Sequence, residues 1–131
     1  MLEPLASMPA CPPFPDFTDF ERKALDVIAG SFGPHADTLR KQIDASQVID
    51  RINTIHGFYT RIKVDRSACG ALPVAQTDGG YFEVEGIEHG VGVILWYEDG
   101  FLSDIEGFGY GEDVFEGIDL SGLKFVSGRP N

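Results

Sequence analysis

Glu85 and Glu106 are the side chains of this sequence best suited to do chemistry together. If they share a cross-strand row with Gly92, the glycine leaves a shallow pit with a carboxylate on each side. Such a pair could serve as general acid and base, or hold a divalent cation. The outer strands of a three-stranded trio lie about 9.5 Å apart, near the upper end of the spacing used by inverting glycosidases. No substrate cleft or ligand loop accompanies the pair, and Glu98-Asp99-Gly100 lacks the spacing of an EF-hand. The same region also supports a non-catalytic reading. Trp96, Tyr81 and Leu102 form an apolar stripe beside Glu83, Glu85, Asp104 and Glu106. An aromatic pair inside a carboxylate rim has the make-up of an interaction hot spot with electrostatic steering.

Other chemical signals are weaker. Gly107, Gly109 and Gly111 imitate a phosphate loop, but Glu112 and Asp113 follow where a phosphate-binding helix would have to begin. His35, His56 and His89 have no ligand spacing between them and suit turns or a first helical turn. Cys11 and Cys69 match neither a disulfide framework nor a zinc pattern. Cys69 has no recognisable histidine partner. No catalytic residue, metal site or cofactor is expected.

The elements that must position these residues are legible. Residues 1–16 carry five of the eight prolines and suggest a loose or extended arm, with one domain over 17–131. Thr18 and Glu21 make a capping box ahead of Phe20, Ala24, Val27 and Ile28, and Gly30 ends that helix. Pro34 suits the start of a second helix with Ala36, Leu39 and Ile43 on one face. Residues 48–55 fit a helix or a strand, with the β-branched content favouring a strand that turns at His56-Gly57. In 58–64, Phe58, Thr60, Ile62 and Val64 alternate with Tyr59, Arg61 and Lys63. Residues 66–80 read as a loop, and a meander of 81–86, 91–97 and 101–107 follows. Two helices before a run of strands predict an α+β fold, the helices packed on one face of a mostly antiparallel sheet.

A four-residue loop at 87–90 would set Val84 opposite Val93, Phe82 opposite Leu95 and Tyr81 opposite Trp96. For the second turn, a two-residue Asp99-Gly100 loop places Asp104 and Glu106 beside Leu95 and Val93 in the core. Burying two unpaired carboxylates costs at least roughly 2 kcal/mol each. A three-residue Glu98-Asp99-Gly100 loop shifts the register by one and avoids this. Phe82, Val84, Val93, Leu95, Tyr97, Phe101 and Ile105 then lie under the helices. Tyr81, Glu83, Glu85, Gly92, Ile94, Trp96, Leu102, Asp104 and Glu106 lie on the other face. A structural alternative stays open: if 58–64 pairs with 81–86, Arg61 and Lys63 neutralise Glu83 and Glu85. The segment around Phe125 could likewise cover Trp96.

Length and charge narrow the classes. The chain has 131 residues, 43% hydrophobic and 24% charged, which suits a single soluble domain. No apolar run approaches the ~20 residues of a membrane span. Pro9, Pro12, Pro13 and Pro15 interrupt an N-terminus that lacks the basic start of a secretory signal, so a cytoplasmic location is expected. The net charge of −11 argues against nucleic acid and anionic lipid. Its distribution is lopsided. Residues 1–66 carry −1, residues 67–123 carry twelve acids without one Lys or Arg, and Lys124 and Arg129 follow. A region of one sign steers basic partners or cations.

The run from Glu85 through Gly92 to Trp96, with Asp99-Gly100, Leu102 and Ile105-Glu106-Gly107-Phe108, resembles a family of small uncharacterised bacterial proteins. Gly57-Phe58-Tyr59-Thr60 resembles a second block of that family, and the blocks lie within about residues 19–111. That resemblance implies no activity and no catalytic residues. In size and acidity the chain also looks like immunity proteins paired with bacterial toxins. The expected function is therefore a non-enzymatic binder of a basic protein, of the kind that neutralises a toxin or nuclease. Trp96 and Tyr81 would anchor, Leu102 would lie beside them, and Glu83, Glu85, Asp104 and Glu106 would steer and pair. The alternative is a small hydrolase or metal-binding protein using the Glu85/Glu106 pit, and an exposed strand edge leaves room for a homodimer.

Overall fold

The computed structural model describes residues 6–9, 16–112 and 114–130, with only the backbone of 6–9. Thr18 caps the first helix, α1 (Asp19–Gly30). Its hydroxyl accepts from the Glu21 N–H at 3.2 Å, and its own N–H donates to the Glu21 carboxylate at 2.8 Å. Phe20, Ala24, Leu25, Ile28 and Ala29 form the buried face. Pro34 sits in a short 3-10 turn that leads into α2 (Ala36–Asp44), where Leu39 and Gln42 are buried. Gln42 ties this helix to the sheet. Its amide donates to the carbonyls of Gly70 and Gly100 at 2.8 and 2.9 Å, and its oxygen accepts from the Leu102 N–H at 2.9 Å.

The strands are β1 (Ala6–Pro9), β2 (Ser46–Asn53), β3 (Gly57–Val64), β4 (Gln76–Val84), β5 (Ile87–Glu98), β6 (Phe101–Gly109) and β7 (Phe125–Arg129). They form one antiparallel sheet in the order β1-β2-β3-β6-β5-β4-β7. The fold is α+β, with both helices ahead of the β4-β5-β6 meander. Within the proline-rich arm, Ala6–Pro9 forms an edge strand beside β2; residues 1–5 and 10–15 lie outside the described residues. The core lies on the helical side of the sheet. Phe20 packs edge-on against Phe58 and Phe82 at 6.2 Å between ring centroids, and Phe58 meets Phe115 at 5.6 Å. Leu120 and Leu123 complete that layer.

An ion pair lies inside this core. Arg51, 2% exposed, sends Nε and Nη2 to the two oxygens of Glu21 at 3.0 and 2.7 Å. The Thr60 hydroxyl donates to the same carboxylate at 2.5 Å, and Arg51 also reaches the Asp16 carbonyl at 3.0 Å. Glu21 is thus more than a cap. It joins α1, β2 and β3 through a fully hydrogen-bonded charge.

Several sequence expectations change here. β4 begins at Gln76, so residues 76–80 are strand rather than loop. The first meander turn is Glu85-Gly86 and not 87–90, because Val84 pairs with Ile87. Gly86 supplies a φ of 87°, and the tight turn lets Ile87 bury. The second turn is the two-residue Asp99-Gly100 loop, with φ of 54° and 85°. Its carboxylate problem is solved by a bulge: Tyr97 faces Leu102 while Trp96 faces Asp104, leaving Ser103 as the extra residue. Leu102 and Ile105 therefore both point into the core, while Asp104 and Glu106 point out. Phe101, expected in the core, is only half-buried under the Arg66 guanidinium, 4.8 Å from its ring centroid. Finally, β3 pairs with β2 and β6 rather than with β4.

Candidate functional site

The sheet face away from the helices carries two cross-strand rows over β3, β6, β5 and β4. One runs Arg61–Asp104–Trp96–Gln76, and the next runs Tyr59–Glu106–Ile94–Asp78. The period of two in β3 and β5 sends Tyr59, Arg61, Ile94 and Trp96 outward, and the Ser103 bulge returns β6 to the same parity. Tyr59, Ile94, Trp96, Asp104 and Glu106 are all half-buried.

Trp96 leans diagonally across to β6. Its Nε1 donates to Glu106 Oε1 at 2.9 Å. From the other side Tyr59 stands directly opposite Glu106 in the β3–β6 ladder. Burial, then the negative charge of Glu106 opposite it and that of Asp104, raise the Tyr59 pKa and keep the phenol neutral. Arg61 is committed elsewhere: its Nε donates to Asp50 Oδ1 at 2.6 Å and its Nη2 bonds Oδ2. It acts on Asp104 through charge alone. Among the described residues Glu106 has no Lys or Arg ion-pair partner, and Asp104 accepts no hydrogen bond. The result is a carboxylate oriented by a neutral indole N–H and without a cationic partner among the described residues.

A second aromatic group lies farther along the same face. Phe108 and Tyr81 flank Gly92 in the row, and Phe108 meets Tyr110 at 5.7 Å. Tyr110 meets Tyr81 at 5.9 Å, and Arg129 stands over the Tyr81 ring at 5.4 Å.

The expected residues therefore divide. Trp96, Asp104 and Glu106 come together as one site. Tyr81 shares their face but belongs to the second aromatic group, opposite Gly92, with its hydroxyl donating to the His89 carbonyl at 3.1 Å. Glu83 is exposed near the β7 edge, where it accepts from the Ser127 hydroxyl at 3.1 Å. Glu85 sits in the β4–β5 turn and Leu102 in the core. The Glu85–Gly92–Glu106 pit does not form, because the hairpin is tighter and Phe108 fills the space over Gly92. A Cβ on Gly92 would stand 2.2 Å from that ring. Arg61 and Lys63 do not meet Glu83 or Glu85, since β6 lies between β3 and the rest of the meander. Phe125 packs against Phe82 rather than over Trp96.

Sequence reasoning missed Tyr59 as the cross-strand neighbour of Glu106. Its outward parity in β3 was legible, but the β3–β6 pairing was not. Among the described residues, no three His, Cys, Asp or Glu side chains gather as a metal site, and no helix is long and apolar enough to cross a membrane. Comparison with family models, curated proteins and solved structures gives no match.

Proposed function

We propose that this chain is a non-enzymatic binding module that docks a basic protein on the sheet face bearing Trp96, Asp104 and Glu106. An immunity protein that presents carboxylates to the phosphate-binding surface of a toxin or nuclease is the role this surface suits best. The observation that carries the reading is Glu106: the Trp96 indole N–H fixes its direction without neutralising it, and no Lys or Arg among the described residues pairs with it. Forming the complex then requires little reordering of that carboxylate, and a partner cation supplies the missing charge. The absence of Lys and Arg from residues 67–123 extends the negative field beyond the site and favours rapid encounter with a basic surface. The same charge disfavours nucleic acid as the ligand.

The test is retention of proteins from a lysate of the source cells on the immobilised chain and on Glu106→Gln. The expected result is a basic protein held at low salt, released as salt rises, and held less by the variant. Retention only of proteins indifferent to both salt and the substitution would contradict the proposal.

A further inference from the structure

Resting on that docking reading, we infer that the Trp96–Glu106 corner seats a guanidinium, so that the partner's anchoring side chain is arginine rather than lysine. The cations over the chain's other aromatic rings provide the first reason: among the described residues three are arginines, including Arg22 at 5.9 Å from Phe17, and one is Lys23, at 5.9 Å from Phe125. Arg66 stands 4.8 Å from the centroid of Phe101, and Arg129 stands 5.4 Å from that of Tyr81. Trp96 has the ring type that attracts cations most strongly, yet among the described residues no Lys or Arg lies over it. It is a stacking surface whose cation must come from outside.

The acceptors beside the ring provide the second reason. Asp104 and Glu106 are two residues apart on β6 and project to the same face, roughly 7 Å apart along the strand. A carboxylate offers about four acceptor positions, and the Trp96 indole N–H occupies only one of those on Glu106. The nearby Arg61 cannot turn to fill the place without leaving Asp50, to which it is doubly bonded. A guanidinium is planar, presents five N–H donors in a fixed fork and stacks on aromatic faces. It can lie on the indole while donating to carboxylates at its edge. A lysine ammonium is a compact, strongly hydrated charge with three donors, so a half-buried seat costs it more water and offers it no stacking.

The chain's one tryptophan is the reporter. The full chain is titrated with hexa-arginine and with hexa-lysine at equal, low ionic strength, following Trp96 emission and, in parallel, heat. Hexa-arginine should bind at least ~10-fold more tightly and change the emission. In Glu106→Gln, and in Trp96→Phe followed by heat alone, the preference should shrink to less than about twofold. Equal affinities with unchanged emission would overturn the guanidinium seat and leave docking of a basic partner standing. An arginine preference that survives both substitutions would place the seat elsewhere and overturn the assignment. Binding of neither peptide would count against the docking reading as well.

Discussion

Trp96 donates its indole N–H to Glu106 across β5 and β6, although the residue directly opposite Trp96 is Asp104. This diagonal contact draws the indole along the sheet and places two carboxylates beside one ring. It depends on the bulge at Ser103: a regular ladder from the Asp99-Gly100 turn would turn both carboxylates toward Val93 and Leu95. The local backbone irregularity therefore decides whether the acidic residues of β6 face solvent or core.

The buried Glu21–Arg51 pair should dominate the mutational sensitivity of the fold. Arg51→Met leaves Glu21 charged and buried without its guanidinium, and a loss of about 3–5 kcal/mol is expected by urea unfolding. Replacing both, as Glu21→Leu with Arg51→Met, should cost less than the two single changes summed. The exposed Lys23–Asp19 pair, 3.1 Å apart on α1, is the control; Lys23→Ala should change stability by less than about 0.5 kcal/mol.

Gly57→Ala tests the β3–β6 junction. A Cβ at Gly57 would lie 2.0 Å from the Gly107 carbonyl oxygen and 2.9 Å from the Phe108 Cα, and neither is a flexible side-chain end. The expected loss is roughly 3 kcal/mol, at the upper end for overpacking because backbone must move. Gly70→Ala, whose Cβ meets nothing within 4 Å, should have little effect by the same thermal or urea measurement.

Alkaline pH should weaken the fold through two tyrosines. Burial, together with Glu106 and Asp104, raises the Tyr59 pKa above its ordinary value of 10.0. Burial raises Tyr97 as well, against an opposing hydrogen bond with Thr77. The native state therefore holds these phenolic protons more tightly than the unfolded chain. Their stabilisation is complete below the unfolded phenol pKa of about 10 and is lost as pH rises through the folded values. Absorbance at 295 nm should show late phenol ionisation, with one late step missing in Tyr59→Phe. An ionisation of Tyr59 below pH 10 would contradict its burial beside the Glu106 charge.

How far these features could be read in advance depended on whether they were local. The Thr18–Glu21 capping box and the alternation of Phe58 to Val64 are written in adjacent residues, and both form as the pattern implies. Strand parity, with the cost of burying two carboxylates deciding the register, places Trp96, Asp104 and Glu106 outward, and the structure agrees although both hairpin turns differ from expectation. Leu102 was lost because the Ser103 bulge reverses parity on its N-terminal side. The Glu85 pit was lost because 87–90 looked like a loop, whereas burying Ile87 favours a turn at Glu85-Gly86. Arg51 and Tyr59 could not be partnered at all, since their contacts join α1 to β2 and β3 to β6 across long stretches of chain. Sequence spacing does not encode those distances.

The central claim is that a basic partner docks through Trp96, and the most direct test is the affinity of the salt-sensitive captured protein for Trp96→Ala. Binding by calorimetry, with circular dichroism establishing that the variant is folded, should weaken by at least ~2 kcal/mol, about 30-fold in Kd. An unchanged Kd in a folded Trp96→Ala protein would remove this face from the interface and contradict the account.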